Sequence, residues 1–310
     1  MNKEKKHLLY LAGSTAVGKT SVSIKLAQHF KTVVVSCDAR QMYQQMEIGT
    51  AKPTAEELAA VPHYFINHLP ITADYTAADF ERDALLLLEE LFLTKDLVVL
   101  TGGSGMYANA LINGLDEMPS IDEEISDFVK NEFEEKGVDW LKASLKKEDP
   151  ELFSSLNNSE RHNPQRLMRA LAFFRTHQKS LLHFRKKKPI ERPFTVLKIG
   201  LHRGREILYD RINRRVDLML AEGLVDEVKR LLPFAQYNAM QTVGYREIVG
   251  YLKGEYDLAE AIRLLKRNTR RYAKRQMTWY RRSEEMVWFH PNKIEEMIEW
   301  VENKKAQKSP

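Results

Sequence analysis

The chain has 310 residues, 48 Lys and Arg against 43 Asp and Glu, a net charge of +5, and 43% apolar residues, which is the composition of a globular protein with one large domain or two modest ones. No apolar stretch approaches the length of a membrane span. The run at residues 8–12 is too short for a signal peptide despite Lys3, Lys5 and Lys6, and the single cysteine, Cys37, excludes an internal disulfide or a cysteine-based zinc site. A reducing, cytoplasmic setting is expected, with no membrane partner, and the chain is expected to be a monomer.

In chain order, Leu8-Leu9-Tyr10-Leu11-Ala12 reads as a buried strand. It feeds Gly13-Ser14-Thr15-Ala16-Val17-Gly18-Lys19-Thr20, a full G-x-x-x-x-G-K-T phosphate loop, and an amphipathic helix is predicted over residues 20–30. The glycines let successive N–H groups turn toward phosphate oxygens, Lys19 adds a point charge, and the Thr20 hydroxyl can hold Mg²⁺. A second strand over 32–37, centred on Val33-Val34-Val35, ends at Asp38. A helix over 77–92 and a strand over 96–101 follow. The alternation predicts an α/β fold with a parallel sheet flanked by helices, and ligands beyond the carboxyl ends of the strands. Three such ends are polar or glycine-rich: the phosphate loop, Asp38-Ala39-Arg40-Gln41, and Gly102-Gly103-Ser104-Gly105. They are expected to converge on one site.

The character changes near Pro119. Residues 121–180 carry no strand signal, and Asn163-Pro164 breaks the run and starts a helix over 165–174. Lys186-Lys187-Lys188-Pro189 and Arg192-Pro193 mark a charged connector, and residues 194–201 return to strand character. Residues 119–190 therefore read as an all-helical insertion into a core made of 1–118 and 191–310. From Arg205 onward the pattern is helical, punctuated by Gly223 and Pro233. The basic helix over 258–282 is expected to end the ordered part, with a frayed tail over 304–310.

Charge is unevenly distributed. Residues 116–135 carry nine acids and one base, Lys130, whereas residues 263–282 carry nine bases and no acid. A solvated helix face mixes signs; uniformly positive flanks track phosphates and call for a nucleic acid. In that helix Leu265, Thr269, Tyr272, Gln276 and Trp279 form a seam, with Arg263, Arg267, Arg270 and Lys274 on one flank and Arg271, Arg275 and Arg282 on the other. Arg203, Arg205, Arg211, Arg214 and Arg215 crowd a short segment. Arg211 and Arg215 share a helix face and suit a diphosphate, while most of the cluster is expected at the surface, paired with Asp210 and Asp217. Asp38 leaves three roles open: magnesium ligand, general base, or helix cap. Thr101 stands where a nucleoside-triphosphate motor would place an acid. His63 and His68 lack a third ligand and form no metal site, and His202 has no evident role.

These features resemble the tRNA dimethylallyltransferases, the bacterial tRNA isopentenyltransferases. The matching blocks are residues 13–20, 36–43, Glu47-Ile48-Gly49-Thr50-Ala51-Lys52-Pro53, Ala77-Ala78-Asp79-Phe80, 102–107, His162-Asn163-Pro164-Gln165-Arg166, Val243-Gly244-Tyr245-Arg246 and Lys274-Arg275-Gln276-Met277-Thr278-Trp279. They span nearly the whole chain in order. One departure is Ser104, where the family commonly has Thr; the hydroxyl is kept. The resemblance implies transfer of a dimethylallyl group from dimethylallyl diphosphate to the exocyclic N6 amine of the adenine 3′-adjacent to the anticodon, with release of diphosphate. It implies diphosphate on residues 13–20, Mg²⁺ on Thr20, Arg215 stabilising the leaving group, Asp38 as the base and Ser104 beside it. The flipped adenine would be read by Asp38, Ala39, Arg40 and Gln41. His162, Asn163, Pro164, Gln165 and Arg166, together with Arg270, Arg271, Lys274 and Arg275, would grip the anticodon stem-loop. Two rival classes explain less. A small-metabolite or nucleotide kinase accounts for the phosphate loop but not for residues 263–282. A non-catalytic RNA-binding module leaves Lys19, Thr20 and Asp38 without a task.

Overall fold

A computed structural model describes residues 5–185 and 190–307; the connector segment 186–189 and the end of the tail, 308–310, lie outside them. The chain divides into two compact units, residues 1–114 with 191–310, and residues 115–190.

The first unit opens with β1 (His7–Gly13), buried along its whole length. A strand covered by helices on both faces must be apolar throughout, which is why residues 8–12 show no alternation. There follow α1 (Lys19–His29), β2 (Val34–Ser36), α2 (Ala55–Ala60), β3 (His63–Tyr64), α3 (Ala77–Leu91), β4 (Leu97–Thr101) and α4 (Gly105–Asn113). Capping boxes start α2 at Thr54 with Glu57, and α3 at Thr76 with Asp79. The chain next forms α5 (Glu123–Glu148), α6 (Pro150–Ser155) and α7 (Pro164–His177) of the second unit. It returns as β5 (Thr195–Leu201), followed by α8 (Arg205–Ala221), α9 (Leu224–Leu231), α10 (Tyr245–Leu252), α11 (Leu258–Tyr280), β6 (Val287–Phe289) and α12 (Ile294–Ala306).

The six strands are parallel, in the order β3-β2-β4-β1-β5-β6. Because β1 lies between β4 and β5, the chain leaves it toward both sides of the sheet. The crevice this creates opens at its carboxyl end, where the phosphate loop begins. Leu9, Leu11, Val99 and Ile199 of the sheet pack with Val22 and Leu26 of α1, Ile212 of α8, and Met297 and Val301 of α12.

The ordered chain continues past the basic helix, contrary to the helical pattern read from the sequence. β6 pairs with β5 from Ile199 opposite Val287 to Leu201 opposite Phe289, and α12 buries Met297 and Val301. A three-residue strand is too short to show a period. Its place is set by Trp288, which lies so close over Gly200 that a Cβ there would meet the ring at 2.6 Å. Lys304 and Lys305 belong to α12, so fraying does not begin at residue 304.

The second unit has its own core: Val129, Leu141 and Leu145 of α5, Leu152 of α6, and Leu167, Leu171 and Phe173 of α7. α5 is broken at Gly137, whose φ of 74° and ψ of −173° suit glycine alone. The Asp149 carboxylate caps α6 and the Asn163 side chain caps α7, each followed by proline at the first helical position.

Candidate active site

Beyond the carboxyl ends of β1, β2 and β4 lies a cavity of about 500 Å³, lined by the phosphate loop, Asp38, Arg40 and Gln41, Gly102 and Gly103, residues 48–54, and side chains of α8 and α11. The three glycine-rich or polar strand ends do converge.

The phosphate loop turns through Ala16 (φ 61°) and Gly18 (φ 113°), the latter at the N-cap of α1. Lys19 and Thr20 open the helix beside the cavity, where backbone N–H groups have no intrahelical partner and suit an anion. Lys19 is half-buried, and its Nζ donates to Gly13 O at 2.9 Å and Ser14 O at 3.0 Å. Burial lowers its pKa to about 8; the Asp38 carboxylate opposes that shift and Arg215 adds to it. A second layer of cations clamps the loop from outside. Arg203 Nε donates to Val17 O at 2.9 Å, Arg211 Nε to Ala16 O at 2.8 Å, and an Arg215 terminal nitrogen lies 3.5 Å from Thr15 Oγ1. Three of the five clustered arginines therefore reach the loop, more than their charge alone suggests. Arg211 and Arg215 share a face of α8, and Arg203 lies just past β5, which pairs with β1. Burial depresses the pKa of Arg215, with Arg211 adding to the effect. Arg214 instead pairs with Asp210 at 2.9 Å, and Asp217 pairs with Lys266.

Asp38 is held on both oxygens. Oδ1 accepts from Arg40 N at 3.0 Å and Gln41 N at 3.4 Å, while Oδ2 accepts from Gly103 N at 3.0 Å. The carboxylate thus organises its own turn and still has lone-pair capacity toward the cavity. Ser104 Oγ accepts from Ala39 N at 2.9 Å, tying the two strand ends together. Gly102 is sterically required, since a Cβ would lie 2.5 Å from the Cys37 carbonyl carbon and 2.6 Å from Asp38 N. Gln41 Nε2 donates to Thr50 O and Ala51 O, which leaves its carbonyl end free to accept from a ligand.

The wall formed by residues 47–53 rests on a residue that sequence reasoning missed. Glu227 of α9 is 3% exposed. Its carboxylate accepts from Glu47 N, Ile48 N and Gly49 N at 3.1, 2.7 and 3.1 Å, and from the Tyr245 hydroxyl at 2.5 Å. Burial, then the adjacent Glu227 charge, pushes the Tyr245 pKa up, which keeps the phenol a donor. Gly49 admits that ring, because a Cβ would meet it at 2.5 Å. Lys52 Nζ donates to Tyr43 O at 2.6 Å and to Asn67 Oδ1; burial lowers its pKa to about 8 against the pull of Glu47 and Glu227.

The seam of α11 faces inward except at Trp279, which is exposed. Leu265 and Ala273 are buried, and Tyr272 and Gln276 line the cavity. Arg271, Lys274 and Arg275 are exposed. Arg270 differs from them: it turns inward, donates to Asn213 Oδ1 at 2.7 Å and lies over the Tyr209 ring, so it braces α11 against α8. His162, Asn163, Pro164, Gln165 and Arg166 belong to the helical unit. There His162 Nδ1 is 2.7 Å from Asn158 O, Asn163 caps α7, and Arg166 pairs with Glu160.

Among the described residues no group of three or more His, Cys, Asp or Glu could hold a metal ion. The Thr20 hydroxyl, on the cavity wall in the first turn of α1, is a hard oxygen donor of the kind Mg²⁺ shares with phosphate oxygens and water, so the donor set fits that ion. No helix among the described residues is long and apolar enough to cross a membrane. His202 is exposed, its ring 6.5 Å from that of His290.

Known proteins are similar to this chain over most of its length. Residues 41–283 match the model of the IPP transferase family. The chain is 45% identical over 294 residues to tRNA dimethylallyltransferase 1 of Phocaeicola vulgatus, covering 95% of this chain and 97% of that one. It is 44% identical over 299 residues to the tRNA dimethylallyltransferase of Cytophaga hutchinsonii, covering 96% and 97%. Among solved structures it is similar to the full-length tRNA isopentenylpyrophosphate transferase of Bacillus halodurans, with a TM-score of 0.72 and 38% identity over 98% of this chain and 97% of that one. A match over most of the length, together with identities well above the level at which folds alone are shared, places the chain in the IPP transferase family.

Proposed function

We propose that the cavity transfers a dimethylallyl group from dimethylallyl diphosphate to the N6 amine of the adenine 3′-adjacent to the anticodon of a tRNA. The observation that carries this reading is a phosphate loop with its lysine and a backbone-held carboxylate, Asp38, on one cavity that is also lined by a helix with exposed basic flanks.

The diphosphate sits on the opening N–H groups of α1, with Lys19 and Arg215 directed at its oxygens. As the C–O bond breaks, negative charge grows on the leaving group, and these fixed cations stabilise it more than they stabilise the intact donor. Thr20 would hold Mg²⁺, which would supply further neutralisation of the same charge when bound. The amine nitrogen forms the new C–N bond and its proton passes to Asp38, whose carboxylate is oriented by three backbone N–H groups. A stacked adenine cannot enter such a cavity, so it is flipped out of the anticodon loop. The free carbonyl of Gln41 accepts from an N–H of a base. Arg271, Lys274 and Arg275 contact the RNA backbone, and the surface around His162 and Arg166 gives the helical unit a second RNA-facing patch.

Incubation with labelled dimethylallyl diphosphate, Mg²⁺ and unmodified tRNA, followed by mass analysis of the nucleosides, tests the reading. The expected product is a five-carbon unit on one adenosine. Label transfer from ATP instead, or no product with any tRNA bearing an adenine at that position, overturns it.

A further inference from the structure

Gln276 is 6% exposed and uses both ends of its amide on the two loops of the cavity. Its Oε1 accepts from Thr15 N at 2.8 Å and its Nε2 donates to Gly103 O at 2.8 Å. The partners fix this orientation, because a backbone N–H can only donate and a carbonyl can only accept. Gly103 O also accepts from the Tyr272 hydroxyl at 3.1 Å and the Tyr280 hydroxyl at 3.4 Å, both from α11. On its other side the same glycine donates through its N–H to Asp38 Oδ2. A Cβ on Gly103 would lie 2.6 Å from that oxygen and 3.3 Å from Gln276 Nε2. One side chain thus bridges the phosphate loop and the residue that holds the carboxylate.

We propose that Gln276 is a positioning residue that sets the separation between the leaving-group side and the proton-accepting side of the reaction centre. This rests on the transferase reading above. In a displacement, the attacking nitrogen, the transferred carbon and the departing oxygen lie near one line, so the spacing of the two loops is part of the reaction coordinate. A misplacement of about 1 Å costs roughly a hundredfold in rate. The substrates keep their own contacts when Gln276 is lost, so the loss falls on kcat rather than on KM. The bond to Thr15 also commits that N–H to the protein, so the loop's donors to phosphate begin after it. A basic helix therefore serves two purposes: its outer flanks meet RNA and its inner face braces the chemistry.

The test compares Q276M, which keeps the volume and removes both hydrogen bonds, with Q276N, which keeps an amide one methylene short of spanning both loops. Q276M should lower kcat by about tenfold to a hundredfold, with KM for donor and tRNA within about threefold of wild type. Q276N should fall between Q276M and wild type. Amide exchange in the free protein supplies a readout independent of turnover: in Q276M, exchange at Thr15 should accelerate by about tenfold or more, while α5 to α7 are unaffected. Wild-type kcat in Q276M, a loss appearing only in KM, or unchanged exchange at Thr15 overturns the proposal. If the wild-type protein transfers nothing from dimethylallyl diphosphate, the transferase reading fails, and the exchange measurement still decides whether Gln276 braces the loop.

Discussion

The two loops that face each other across the cavity are built differently. The phosphate loop takes its turn and its central charge from eight consecutive residues and a helix start, and distant side chains clamp it from outside. The opposite wall, residues 47–53, has no such local framework. Its backbone N–H groups are gathered by Glu227 from α9, and its glycine is defined by the ring of Tyr245 on α10. A local anion site can be written in one stretch of sequence. A wall that must present carbonyls to Gln41 needs an acceptor from elsewhere, because backbone donors turned away from the cavity would otherwise be buried without partners.

The comparison can be broken most sharply at Lys19. K19A should reduce turnover by about a hundredfold to a thousandfold, the order expected when a fixed donor to developing charge is removed. Binding of the anticodon stem-loop, read by gel shift, should stay near wild type. A large loss of RNA affinity in a folded K19A protein would mean that the phosphate loop and the RNA surface are not separate.

D38N should slow transfer by about a hundredfold, the usual range for a lost general base. Asn still accepts from the Arg40 and Gln41 N–H groups through its oxygen, but its amide nitrogen would face the Gly103 N–H, so a stability loss of about 1–2 kcal/mol should accompany the slower transfer. Single-turnover rates near wild type would return Asp38 to a purely structural role.

E227Q sharpens the contrast from the opposite wall. An amide nitrogen would face a backbone N–H where a carboxylate oxygen now accepts, which should cost about 2 kcal/mol of stability in chemical denaturation. The phosphate loop should be untouched, so affinity for inorganic diphosphate should be unchanged. Equal weakening of diphosphate binding would show that the two walls are energetically one.

The smallest effect concerns pH. Burial disfavours charged Lys19, so its pKa is about 8 in the free protein, whereas bound diphosphate favours the charged form. Below pH 8 the group is already protonated and adds no pH dependence. Above it, binding must take up a proton, so diphosphate affinity should fall as pH rises, by about tenfold from pH 7 to 9. Calorimetry in buffers of different ionisation enthalpy should register that uptake; a flat profile would place the lysine at its ordinary value.

The legible parts share a reason. β1 and β4 are continuous apolar runs because both faces are buried, and the three strand-end motifs had to converge because a parallel sheet puts its carboxyl ends on one side. The asymmetric charge of α11 identified its outer face. Its inner face was legible only as a seam, since Tyr272 and Gln276 at helical spacing look the same whether they meet a core or a cavity. Arg270 was expected among the residues gripping RNA because charge does not reveal that Asn213 and Tyr209 lie beside it.

By itself, then, the sequence determined the α/β alternation, the phosphate loop, the carboxylate at the end of β2 and the polyanion-seeking flanks of α11, because each follows from residues adjacent in the chain or related by a single period. Only the tertiary structure decided the clamp of Arg203, Arg211 and Arg215, the support of Glu227, the bridge of Gln276 and the edge strand β6. Each of these joins groups far apart in sequence through hydrogen bonds or ring contacts whose partners no local pattern encodes. Burial then fixes them, since a polar group taken out of water must find its partner wherever the fold supplies one.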